Sequence, residues 1–84
     1  MNNIKNKDLI TAFGNHVREL RKKKKLSMED LAADAGIEYK QLANVELGLI
    51  NTTISTVYAI SKALEIPMNK LFEFEIKKSS KGAR

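Results

Sequence analysis

Residues 27–48, SMEDLAADAGIEYKQLANVELG, decide the fold. Ser27 is a good N-cap, and Asp30 stands at the third helical position, a variant of the capping box. Leu31, Ala32 and Ala35 give a short helix an inward face, and the two alanines are small enough to let another helix cross closely. Gly36 supplies the left-handed residue that ends this helix, and Ile37 plugs the turn into the core. A second helix follows over 39–47, stopped by Gly48. At about 100° per residue its side chains divide into two faces. Leu42, Val45 and Glu46 lie on one. Tyr39, Lys40, Ala43, Asn44 and Leu47 lie on the other. A helix anchored on one face and offering hydrogen-bonding groups on the other suits the major groove of DNA.

The flanking sequence predicts more helix. Ile10, Phe13, Val17 and Leu20 fall at helical spacing, so a first helix is expected from residue 7 or 8 to about 24. Asp8 near its start and lysines near its end both suit the helix dipole. Gly14 within the stripe costs about 1 kcal/mol against alanine, and its expected use is the close approach of a neighbouring helix. His16 has no cysteine or second histidine to join it, so a surface histidine is expected rather than a metal ligand or catalytic base. The positive run Arg21 to Lys25 is either a solvated helix end or a phosphate-facing patch.

Past Gly48, Asn51, Thr52 and Thr53 form a polar turn whose hydroxyls and backbone N–H groups could cap the next helix or bind phosphates. Thr53 or Ser55 is the cap. The fourth helix covers about 54–64, with Ile54, Val57, Tyr58, Ser61 and Leu64 on one stripe, broadened by Ile60 and Ala63. Pro67 fits the first turn of a short fifth helix, MNKLF. From Phe72 the apolar residues Phe72, Phe74 and Ile76 alternate with charged ones, a period of two. Either the helix runs on to Lys77, or the segment is extended and pairs with its counterpart in a second chain. A third arrangement folds all three side chains back onto their own core. In the first two an apolar patch remains, and on so small a domain it suggests a homodimer interface.

Composition sets the bounds. The 84 residues make one small domain, and 43% hydrophobic with 30% charged residues marks it as globular. The formal net charge of +5 is compatible with a polyanionic partner. Cysteine is absent, which removes disulfides and thiolate metal sites. No cofactor or metal is expected. No apolar run approaches a bilayer span, and MNNIKNKD lacks the apolar centre of a signal peptide, so a cytoplasmic protein is expected. With one histidine, no Gly-rich phosphate loop and no placed carboxylate pair, an enzyme is not expected. Residues 1–6 read as a flexible arm, 7–77 as the domain and 78–84 as a disordered basic tail.

FGNHVRELRKKKKLSMEDLAADAGI, LANVELG and ISTVYAISKALEIPMNKLF together resemble the phage-repressor-like and Xre-like helix-turn-helix regulators. They are also similar to the controller proteins of restriction–modification systems. The resemblance spans residues 13–72 without a gap. It implies an all-α, five-helix repressor-like domain whose third helix enters the major groove, with Tyr39, Lys40, Ala43 and Asn44 at the base-reading positions. Lys40 could donate to guanine O6 or N7, Asn44 could pair with adenine, and Ala43 and Leu47 could touch a thymine methyl. Lys25, Ser27, Asn51, Thr52 and Thr53 are the candidate phosphate contacts. In the family a glutamate at the place of Glu46 pairs with an arginine of the first helix. Arg21 matches that position, with Arg18 the alternative. Most relatives carry glutamine where this chain has Met28, and they often have arginine or asparagine where it has Leu47, Leu49 and Ile50. The expected function is a sequence-specific DNA-binding transcriptional regulator, a homodimer on a partly palindromic operator. The alternative is an antitoxin or adaptor whose main partner is a protein.

Overall fold

A computed structural model describes residues 5–76. Most of the expected arm and tail lies outside this range, as does Lys77. Four α-helices follow one another: α1 (Lys7–Lys23), α2 (Met28–Ala35), α3 (Tyr39–Glu46) and α4 (Ile54–Leu64). The expected fifth helix is a 3₁₀ helix, Met68–Phe72, entered through Pro67. The tighter 3₁₀ form suits so short a piece. α1 packs on α3 and the 3₁₀ helix, while α2 packs on α3 and α4.

Each α-helix stops in the same way. A residue with left-handed backbone follows the last turn, and the next N–H reaches back five residues. Lys25 (φ 59°), Gly36 (φ 71°), Gly48 (φ 72°) and Glu65 (φ 60°) take the left-handed position. The returning bonds are Leu26 to Arg21 at 3.1 Å, Ile37 to Ala32 at 3.0 Å, Leu49 to Asn44 at 2.9 Å and Ile66 to Ser61 at 3.1 Å. This is the Schellman arrangement, which satisfies the orphan carbonyls of a helix end. The residue after each left-handed position is apolar. Leu26, Ile37 and Ile66 pack against the core, whereas Leu49 stays exposed.

The core comprises Phe13, Val17, Leu31, Ala32, Leu42, Val45, Val57, Ile60, Leu64 and Leu71. Each fully buried leucine or isoleucine contributes about 1.5–3 kcal/mol relative to exposure. α4 turns most of its expected apolar face inward, shifted towards Ile60. Val57, Ile60, Ser61 and Leu64 are buried, whereas Ile54 and Tyr58 are 79% and 52% exposed. The buried face is thus rotated towards Ile60, which is fully buried, and away from Ile54 and Tyr58. The buried Ser61 hydroxyl donates to the Tyr58 carbonyl at 2.8 Å, which makes it tolerable in an apolar setting.

The segment after the 3₁₀ helix is neither strand nor continued helix over residues 73–76. Aromatic stacking shapes it instead. Phe72 stacks on Phe13 with centroids 5.3 Å apart, and Phe74 tilts over the His16 ring at 5.5 Å. His16 is half-buried, not simply a surface histidine. Its Nε2 lies 2.8 Å from the Lys70 carbonyl oxygen. A carbonyl can only accept, so Nε2 carries the hydrogen and ties the 3₁₀ helix to α1.

Candidate nucleic-acid interface

α3 is held on its inner side by three devices. Leu42 and Val45 are buried in the core. Glu46 is 5% exposed and meets Arg21 of α1: Nε donates to Oε2 at 2.7 Å and a terminal guanidinium nitrogen donates to Oε1 at 3.0 Å. The other terminal nitrogen of Arg21 donates to the Leu26 carbonyl at 2.9 Å. Arg21, not Arg18, is therefore the partner of Glu46. The hydrogen bond to Glu46 raises the arginine pKa above its ordinary value, and burial opposes it. The positive run thus divides: Arg21 turns inward, and Lys22 to Lys25 remain exposed.

The third device is Gly14. A Cβ built there would overlap the Val45 carbonyl oxygen and come within 2.9 Å of the Glu46 carbonyl oxygen. The α1 backbone meets the last turn of α3 with no room for a side chain. Gln41, half-buried, adds a link of 3.4 Å from Nε2 to the Thr56 hydroxyl on α4.

The outer face of α3 is left open. Tyr39 is 52% exposed and Lys40 is exposed; Ala43 and Asn44 are half-buried behind them. These four side chains share one helix face, with apolar Leu47 and Leu49 exposed at its far end. Two clefts among the described residues lie elsewhere, one between α1, the turn leading into α4 and Phe72, the other between α1 and residues 74–75.

The candidate phosphate contacts sit in two turns that lead into helix N-termini. Lys25 and Ser27 precede α2. The Ser27 hydroxyl oxygen accepts from the Asp30 N–H at 3.0 Å, so it caps α2 and can still donate its proton outward. Asn51, Thr52 and Thr53 precede α4. Thr53, rather than Ser55, is the cap, accepting from the Thr56 N–H at 3.1 Å. Its hydroxyl also donates to the Thr56 hydroxyl at 3.1 Å. Thr52 faces the other way: its hydroxyl oxygen is buried and has no hydrogen-bond partner. Sequence spacing gave no sign of this, because neighbouring threonines in a turn look alike until the backbone direction is known.

The proposed homodimer residues separate. Phe74 is half-buried over His16, while Phe72 and Ile76 are 47% and 45% exposed. Phe72 instead joins Leu9, Ile10, Phe13, Ile50, Ile54 and Val57 around an apolar cleft of about 150 Å³. The apolar surface therefore centres on Ile54 and Phe72, with Ile54 the most exposed of its side chains. Among the described residues no cluster suited to a metal ion occurs, and no helix is long and apolar enough to cross a membrane.

Two short helices, α2 and α3, joined by the tight turn at Gly36, with α3 packed on α1 and its outer face open, make up a helix-turn-helix. Residues 17–71 match the helix-turn-helix family, and the chain belongs to it. It is similar to an uncharacterized HTH-type transcriptional regulator, y4dJ, of Sinorhizobium fredii, at 30% identity over 70% of this chain and 77% of that one. Among solved structures it is similar to the restriction–modification controller protein C.AhdI of Aeromonas hydrophila. That match has 37% identity and a TM-score of 0.73, and covers 77% of this chain and 97% of the other. The controller protein C.Esp1396I matches at 26% identity and a TM-score of 0.72, covering 77% of this chain and 84% of the other.

Proposed function

We propose that this protein is a sequence-specific DNA-binding transcriptional regulator that works as a homodimer, in the cytoplasm, by occupying a partly palindromic operator. One observation carries the reading. α3 is fixed from behind by Gly14 and the Arg21–Glu46 pair, and it presents Tyr39, Lys40, Ala43 and Asn44 forward. Groups held this rigidly lose little freedom on binding, which is what base recognition needs. Membership of the helix-turn-helix family and likeness to controller proteins support it. The apolar surface around Ile54 and Phe72 is the natural place for a second copy, and two-fold symmetry would then set half-sites about one helical turn apart. Lys25, Ser27, Asn51 and Thr53 would face phosphates. The buried Thr52 hydroxyl would not.

Selection from a random DNA pool tests the reading. The expected result is an enriched, partly palindromic motif, with affinity falling steeply as salt rises. Lys40→Ala and Asn44→Ala should each relax preference at separate base pairs, by about 1–3 kcal/mol. Ile54→Lys should yield a monomer by mass measurement in solution and weaken operator binding. A second reading, a protein-binding adaptor, draws on the exposure of Leu47 (67%) and Leu49 (61%) beside the reading face. No motif enriched at low salt would favour that one.

A further inference from the structure

Glu38 stands at the N-cap of α3 with extended backbone (φ −77°, ψ 149°), and its side chain caps nothing. Asn6, Ser27 and Thr53 do cap α1, α2 and α4, each accepting a backbone N–H with a side-chain oxygen. Glu38 is exposed, and no hydrogen bond or ion pair among the described residues engages its carboxylate. Side-chain capping does not account for the residue. Aspartate would supply the same negative charge to the helix dipole and also cap. Glutamate instead carries its carboxylate one methylene further out, immediately before Tyr39 and Lys40.

The consequence rests on the reading proposed above. A recognition helix brings its N-terminal residues to base edges. A carboxylate only accepts hydrogen bonds, and the DNA backbone repels it. The major groove offers it two donors, the N4 amino group of cytosine and the N6 amino group of adenine. Adenine sets its N7 acceptor beside N6, which opposes the second carboxylate oxygen. Cytosine has a C–H at the corresponding place. We infer that Glu38 is a specificity-determining residue whose carboxylate accepts from cytosine N4, fixing one C·G pair of each half-site.

The test compares the full-length wild type with Glu38→Ala and Glu38→Gln. Each protein is put through selection on random DNA, then titrated against the wild-type site and its single-pair variants. The wild type should favour cytosine at one position by about tenfold or more. In Glu38→Ala that preference should fall to within about twofold, with the positions governed by Lys40 and Asn44 unchanged. In Glu38→Gln it should move towards adenine, whose N6 and N7 a glutamine amide matches. Uniformly tighter binding by Glu38→Ala, with no change of preference, would show that the carboxylate only repels phosphate and would overturn the inference. So would a lower melting temperature with unchanged preference, the mark of a purely helix-stabilising charge. Lys40→Ala and Asn44→Ala separate the two levels: if they alter preference and the Glu38 variants do not, only this inference fails. A wild type that selects no motif removes both.

Discussion

Arg21 near the end of α1 and Glu46 at the end of α3 form a two-pronged ion pair, at 2.7 and 3.0 Å, across 25 residues of chain. Both are buried. Paired charges of this kind contribute little net stability over apolar neighbours, but removing one partner strands the other. Arg21→Ala should therefore cost about 3–5 kcal/mol in urea unfolding, and Glu46→Ala a similar amount. The double change Arg21→Met with Glu46→Leu should recover most of the loss. Arg21→Lys keeps the charge and loses the planar fork, and should fall between. The arginine pKa is raised in the folded state. A raised pKa stabilises fully below the unfolded value and loses that effect only as pH climbs through the folded one. For arginine this window lies far above neutrality, so Arg21 adds no slope to stability between pH 6 and 9 on the order of that measurement.

Gly14→Ala should destabilise despite alanine's better helix propensity. The propensity gain of about 1 kcal/mol is local. Against it stands a Cβ that overlaps the Val45 carbonyl oxygen, a backbone atom unable to rotate away. The helices must separate, and overpacking of this kind costs about 1–3 kcal/mol net. A thermal melt gives the sign directly. Because the displaced element is α3, DNA affinity should fall more than stability at 25 °C explains.

Lys25 and Glu65 hold left-handed backbone without being glycine. Lys25→Gly and Glu65→Gly should each stabilise the domain, by up to about 1 kcal/mol, since a side chain at that conformation carries a steric cost. Denaturant midpoints measure it. The two differ in a second readout: if Lys25 neutralises a phosphate, only Lys25→Gly lowers the slope of log affinity against log salt, by roughly one unit.

Thr52→Val replaces a buried hydroxyl oxygen that has no partner by a methyl group of the same shape. Leaving such a group unsatisfied costs about 1–3 kcal/mol, so the valine should melt higher. Operator affinity should not change, whereas Asn51→Ala and Thr53→Val should weaken it.

How far the chain explains itself varies along it. Ser27, Gly36 and Gly48 announce α2 and α3 because capping and left-handed turns depend on single residues. Gly14 is legible for a related reason: a glycine inside an apolar helical stripe needs a neighbour to justify it. The inward face of α4 is legible only in part: Val57, Ser61 and Leu64 are buried as their spacing suggests, but the exclusion of Ile54 and Tyr58 in favour of Ile60 depends on where α2 and the 3₁₀ helix pack. The alternation of Phe72, Phe74 and Ile76 suggests a strand, but Phe13 and His16 supply aromatic partners that no local pattern reveals. Lys25 is similar. A lysine in a basic run gives no hint that it occupies a helix-ending turn.

The locked inner side of α3 also separates two kinds of evolutionary constraint. Leu42, Val45 and Glu46 answer to Gly14, Arg21 and the core, so a change in any of them calls for a compensating change in another helix. Lys40 is exposed and owes little to the interior, whereas Tyr39 is exposed yet still adds to the field that raises the pKa of buried Arg21. Exchanges at Lys40 leave folding untouched, so a lineage carrying this domain can drift from one target to another in single steps there, each intermediate remaining a folded protein.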